Sequence, residues 1–273
     1  MSSSEANPTI PSTITHACCA DPAPAISDYT LKGDYKPYGP FEKAYIVGPA
    51  DTNRAIIFVY DIFGYHLHTQ QGADILSEGL GALVVVPDFA REKAYNVQRF
   101  SNPPPGVNVG QEILSTFFAV RPQFFEDRVN EVKEVAKQLR SDGKTFVGTL
   151  GLCWGGRVVL TVGGAEEKLV DAVASTHPAQ LKQDDIGKVR VPVALYPAKT
   201  DQIDLAEKIV NEAKNQSFGA TSDFKAYRDM HHGWTGAHAN LDDEKNLAQY
   251  KDVYGRLVNF FTNSATSTAG STN

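Results

Sequence analysis

The chain has 273 residues and a formal net charge of −6; 42% of residues are hydrophobic and 21% charged, an ordinary balance for one large domain with a substantial core. No basic stripe and no run of five or six like charges suits nucleic acid, and no apolar stretch approaches the roughly 20 residues that span a bilayer. Three cysteines are too few for a disulfide framework, and the opening MSSSEANPTIPSTITHACC lacks the basic-then-apolar order of a secretory signal; a reducing, cytoplasmic setting is expected.

Residues 1–24, rich in Ser, Thr, Pro and Ala, read as a flexible N-terminal segment, and 264–273 as a flexible tail. Residues 25–263 read as a single domain. Tyr, Gly and Pro punctuate residues 29–49, which suit an antiparallel hairpin. Short apolar runs follow at Ala55–Tyr60 (AIIFVY), Ala82–Val86 (ALVVV), Thr145–Thr149, Asp171–Thr176 (DAVAST), Val191–Tyr196 (VPVALY) and Asp223–Tyr227. Bounded by Gly, Pro and Asp, they predict buried strands of a mostly parallel sheet. Between or after them, His68–Leu80, Phe124–Leu139, Leu205–Lys214 and Glu244–Phe261 place apolar residues at helical spacing. The alternation predicts an α/β fold, a doubly wound sheet with helices on both faces and no internal repeat.

Gly151-Leu152-Cys153-Trp154-Gly155-Gly156 lies between a predicted strand and a predicted helix. This is the setting of a G-x-S-x-G nucleophile elbow with Cys in place of Ser. A nucleophile on so tight a turn holds a strained backbone, and glycines two residues to either side leave room for it. The following helix aims its N-terminal dipole and free N–H groups at the sulfur, which favours a thiolate and can hold an oxyanion. Against this stands the reading of Cys153 as a small core residue in a glycine-rich bend.

A nucleophilic Cys needs a base, and the base an orienting acceptor. Asp201 follows the strand in VPVALYPAKTDQID, in a loop that can carry function or, alternatively, cap the next helix. His231 and His232 follow the last strand. The order Cys153, Asp201, His232 is the one this elbow uses. His177, also at a strand end, is the competing base, but it precedes Asp201. His66, His68, His231, His232 and His238 show no HExxH or paired-Cys spacing, so no metal is expected. Cys18 and Cys19 with His16 lack a fourth ligand and are expected to carry no chemistry.

Four segments occur in order: FVYDIFG (58–64), VVVPDFAR (84–91), GLCWGGR (151–157) and PAKTDQID…HHGW (197–234). In them the chain resembles the dienelactone hydrolase family, a cysteine-nucleophile branch of the α/β-hydrolases, and within it the fungal members, over roughly residues 30–263. The resemblance implies an α/β-hydrolase fold and a Cys–His–Asp triad of Cys153, His232 and Asp201, with His232 chosen over His231 because the family histidine directly precedes Gly and an aromatic. It implies an oxyanion hole from the backbone N–H groups of Ile62 and Trp154. Asp61 stands where bacterial members carry a glutamate that activates the cysteine. Arg91 matches one of two arginines that hold a substrate carboxylate; the other position is Gly236, so one arm of that clamp is missing. With Trp154 and Trp234 nearby, a bulkier or less charged ester than dienelactone is implied. The expected substrate is a small-molecule ester or lactone, with no cofactor, no nucleic-acid or membrane partner, and a monomer or homodimer as the assembly. A thioesterase or polyketide-processing hydrolase of secondary metabolism is the nearest alternative activity. A non-catalytic binding protein on a hydrolase fold is an alternative of another class.

Overall fold

The computed structural model describes residues 28–91, 93–118 and 124–270. The N-terminal segment expected to be flexible, with His16, Cys18 and Cys19, lies outside them.

The expected hairpin is formed by β1 (Asp34–Tyr38) and β2 (Phe41–Val47). The central strands follow as β3 (Arg54–Val59), β4 (Leu83–Pro87), β5 (Phe146–Leu152), β6 (Ala172–Thr176), β7 (Val193–Tyr196) and the short β8 (Asp223–Phe224). Their order in the sheet is β1-β2-β4-β3-β5-β6-β7-β8. β1, β2 and β4 pair antiparallel, and every other neighbouring pair is parallel. Ile57 of β3 faces Val85 on one side and Thr149 on the other. Every residue of β4 and β5 is buried, as expected of parallel strands covered on both faces. The last predicted strand is shorter than its apolar run: beyond Phe224 only an isolated bridge joins Ala198 to Tyr227.

Helices cover the sheet. The long ones are α1 (Leu67–Leu80), α4 (Phe124–Ser141), α5 (Trp154–Gly163), α6 (Ile203–Lys214) and α7 (Glu244–Gly270). β5 shows the two faces. A Cβ on Gly148 would lie 2.7 Å from the Phe261 ring of α7, whereas one on Gly151 would collide with the backbone of α5 at Gly155. Residues three apart on a strand point to opposite sides, so α5 and α7 cover opposite faces. The apolar stripe of α4 buries Val129, Val132, Val135, Ala136 and Leu139.

Two stretches depart from the sequence reading. α7 runs on through the expected flexible tail as far as Gly270. Ser264 and Ala265 are buried there, and the hydroxyls of Thr266 and Ser267 donate to the carbonyls of Thr262 and Asn263 one turn back. Composition alone, rich in Ser and Thr, hid this buried face. The second departure is a set of short elements between β4 and α4: α2 (Val97–Ser101), α3 (Val109–Ile113) and a π-helical turn (Leu114–Phe118). Asn96 and Asn108 cap α2 and α3 by accepting from the N–H groups of Arg99 and Gln111 at 2.9 and 3.0 Å. No described helix is long and apolar enough to cross a membrane.

The chain turns from β3 outward to β4 and then returns to place β5 on the other side of β3. A crevice opens at the carboxyl ends of strands where the winding reverses in this way. The loops after β3 and β5 therefore meet there.

Candidate active site

Cys153 forms the turn between β5 and α5, with φ 54° and ψ −120°. A side chain with positive φ is strained, and such strain persists only where the surroundings enforce it. Here the glycines enforce it. A Cβ on Gly155 would approach Val59 O to 2.7 Å, and one on Gly156 would collide with Ser175 Oγ and reach Pro178 Cβ at 3.0 Å. Strands β3 and β6 thus press directly on the backbone that follows Cys153. Its carbonyl accepts from the N–H groups of Gly156 at 3.0 Å and Ala179 at 2.9 Å, and Cys153 itself is half-buried. Trp154 is the first residue of α5, so its N–H has no partner inside the helix.

His232, in the loop after β8, donates from Nδ1 to Asp201 Oδ1 at 2.6 Å. Cys153 lies near enough to favour its positive charge. Asp201 sits in the loop after β7 with its side chain 3% exposed, and its other oxygen accepts from Ala198 N at 2.6 Å. It does not cap α6, whose N-cap is Gln202. Burial disfavours a charge on His232, but Asp201 and then Cys153 outweigh it and raise the imidazole to about 10. His232 is therefore an imidazolium near neutral pH, held by the Asp201 carboxylate.

Asp61 follows β3 and is 2% exposed. Its Oδ1 accepts from Phe63 N at 2.9 Å and its Oδ2 from Ala237 N at 3.4 Å. Burial raises its carboxyl to about 6, while those two N–H groups and the positive His232 pull it back. Asp61 thereby ties the Ile62 loop to the turn after His232. Ile62 is held from its carbonyl side, where Tyr95 N donates at 2.8 Å.

The remaining expected residues lie differently. The Arg91 guanidinium pairs with Glu131 and sits 5.1 Å from the centre of the Phe41 ring. Glu131 also pairs with the buried Arg128, so Arg91 belongs to an ion-pair cluster beside α4. Gly236, the position of the family's second arginine, has no room for a side chain: a Cβ would lie 2.7 Å from Asp61 Oδ2 and 3.1 Å from Leu152 Cδ1. The indoles of Trp154 and Trp234 are both fully buried. Trp154 packs among Phe89, Phe117 and Phe124, and Trp234 lies 4.7 Å from Tyr227. Their rings fill the core beneath the site rather than an opening above it.

Three placements lie beyond the sequence reading, which weighed His238 only as a metal ligand. His238 lies between Phe63 and Phe100, with ring centres 4.6 Å from each. Thr176 and Thr235 join hydroxyls at 2.6 Å, linking the end of β6 to the His232 loop. His177, which had been weighed only as a rival base, stands 4.9 Å from the His232 ring. The chain signal for it was a His-Pro pair directly after a strand. Burial holds His66 down at about 4 and lowers His68, His177 and His238 as well. Among the described residues no three His, Cys, Asp or Glu side chains converge on a metal position.

A mostly parallel eight-stranded sheet, with this Cys turn between β5 and α5 and with Asp and His in the loops after β7 and β8, defines an α/β-hydrolase fold. The family model of the dienelactone hydrolase family matches residues 43–265, and the chain belongs to that family. It is 28% identical over 251 residues to an uncharacterised AIM2 family protein of Schizosaccharomyces pombe, covering 90% of this chain and 98% of that one. It is 30% identical over 171 residues to the carboxymethylenebutenolidase homolog of Mus musculus, covering 61% of this chain and 64% of that one. Among solved structures it resembles a putative dienelactone hydrolase from Klebsiella pneumoniae, with TM-score 0.61 and 17% identity over 86% of this chain and 99% of that one; this likeness concerns the fold.

Proposed function

We propose that the protein hydrolyses carboxylic esters or lactones through a Cys–His–Asp triad and a thioester intermediate. The observation that carries this reading is the 2.6 Å hydrogen bond from His232 to the buried Asp201, in a site where Cys153 holds a strained φ of 54°.

The Cys153 thiolate attacks the substrate carbonyl carbon, and a C–S bond forms as the carbonyl π electrons move to oxygen. The backbone N–H groups of Trp154 and Ile62 hold this oxyanion, aided by the dipole of α5. The tetrahedral species collapses, the C–O bond to the leaving alkoxide breaks, and the His232 imidazolium gives that oxygen its proton. Neutral His232 then takes a proton from water, whose oxygen attacks the thioester. Expulsion of the thiolate releases the acid and restores the ion pair. Asp201 fixes the tautomer and orientation of the ring throughout.

Asp61 is proposed to brace the oxyanion loop, since both its oxygens engage backbone N–H groups. Among the described residues, the side chains named for this site offer little fixed positive charge for a substrate carboxylate: Arg91 is paired, Gly236 has no room for a side chain, and burial keeps His66 and His177 neutral. Uncharged acyl groups suit this surface better than anionic ones.

Replacement Cys153→Ala is expected to abolish turnover across a panel of lactones and aryl esters. Undiminished turnover by the purified variant would refute the assignment. Rapid alkylation of wild-type Cys153 by iodoacetamide near neutral pH is expected as well, and an inert thiol would instead favour a binding protein.

A further inference from the structure

His177 closes β6 and takes a positive φ of 38° without being glycine. It is fully buried, and among the described residues neither ring nitrogen has a hydrogen-bond partner. Both features are destabilising, and an apolar side chain would fill the same space without unpaired nitrogens. Buried polar groups left unpaired in a strained loop mark a place where stability has yielded to function.

The surroundings show which function. The N–H of His177 donates to Tyr196 O at 2.9 Å, and two residues on, Ala179 N donates to the carbonyl of Cys153. The preceding Thr176 bonds Thr235 in the other loop. This short segment is therefore anchored both to the nucleophile's own residue and to the loop of His232. Between those anchors the His177 ring meets the His232 ring nearly at right angles, at 72° and 4.9 Å between centres. The hydrogen bond to Asp201 fixes one corner of the His232 ring. A polar side chain packed alongside limits the remaining freedom to swing about that corner without expelling the ring's charge.

We propose that His177 is a positioning residue that holds the His232 ring on the line between Asp201 and Cys153, and that its polar ring, unlike a hydrocarbon, tolerates the imidazolium beside it. The proposal rests on the reading of Cys153 and His232 as an acyl-transfer pair. Among the described residues, the titratable groups that act on His232 besides His177 are Asp201 after β7, Cys153 before α5, Asp61 after β3, and His238 from its own stretch of chain. The two carboxylates favour its positive charge. Burial and the nearby His232 keep His177 itself well below the ordinary histidine range, so it adds no opposing charge.

The test uses the full chain and two readouts. The first is kcat and KM on an aryl acetate. The second is the pH profile of Cys153 alkylation by iodoacetamide, followed on the Cys153 peptide by mass spectrometry so that Cys18 and Cys19 do not contribute. His177→Phe keeps a ring without nitrogens; His177→Gln keeps polarity and comparable length. The Phe variant is expected to lose at least tenfold in kcat with KM within about twofold, and to move the alkylation midpoint by more than half a pH unit. The Gln variant is expected to recover most of both. A Phe variant with wild-type kcat and profile would overturn the proposal, as would a Gln variant as impaired as Phe. Should the Phe variant not fold, His177→Leu is read in its place by the same criteria. If wild type hydrolyses no ester while the alkylation midpoint still moves, the ester reading fails and the role of His177 stands.

Discussion

Replacing Asp61 by Asn removes one buried charge and leaves the shape nearly unchanged. Asp61 is 2% exposed, and burial lifts its carboxyl from 3.8 to about 6. The difference of roughly two pH units corresponds to about 3 kcal/mol of differential stability. Between those two values the folded state keeps a proton that the unfolded chain has lost. The unfolded state then binds fewer protons, so this group lowers stability as pH rises through the window, and its full cost is present above about 6. Asn carries no such charge. Its amide replaces one carboxylate oxygen, however, so the long 3.4 Å bond from Ala237 N is lost, at about 1 kcal/mol. The variant is therefore expected to be less stable than wild type by about 1 kcal/mol near pH 4 and more stable by about 2 kcal/mol near pH 8. Urea unfolding of both proteins across this range supplies the measurement, since the wild-type-minus-variant difference cancels every other titrating group. A difference that stays constant with pH would refute the reasoning, because it would place the Asp61 carboxyl at its unfolded value.

The raised imidazole of His232 sets a second expectation: kcat/KM for an aryl ester should show no His232 step between about pH 6 and 9 and change with this ring only as it loses its charge near 10. In Asp201→Asn the ring loses its 2.6 Å carboxylate partner, so a step should enter that range and kcat/KM for an aryl ester should fall by about a hundredfold or more; a flat profile would remove Asp201 from the triad. Gly156→Ala puts a methyl group onto Ser175 Oγ and Pro178, an overpacking cost of about 1–3 kcal/mol that should lower Tm by several degrees. An unchanged Tm in calorimetry would mean that the turn at Cys153 is less confined than it is drawn here.

Which of these features the chain could reveal depends on how far apart in sequence the interacting groups lie. Gly151 was legible because the clash it avoids is local, against Gly155 four residues on, whereas the clashes that Gly155 and Gly156 avoid, with Val59 and Ser175 on other strands, only the fold reveals. Asp201 and His232 were legible because apolar runs mark strand ends, and strand ends of a parallel sheet share one edge. Arg91 was not, since its position after β4 says nothing about which way the side chain leaves; its partner Glu131 is 40 residues away on α4. The two indoles failed for the same reason. Adjacency to the nucleophile or to His232 in the chain does not place a side chain beside it in space, and residues following an active-site turn are as free to point into the core.

His177 carries this reasoning one step further. Chain order argues against it as the base, and the partner of Asp201 in the structure is His232. Order is a statement about connectivity, however, and β6 lies beside both β5 and β7 in the sheet. Any residue ending β6 must therefore stand between the Cys153 turn and the Asp201 loop, whatever its type. A histidine there stands against His232. What selection could vary is the chemistry of that side chain, and a buried, unpaired, strained imidazole is a costly choice where leucine would pack.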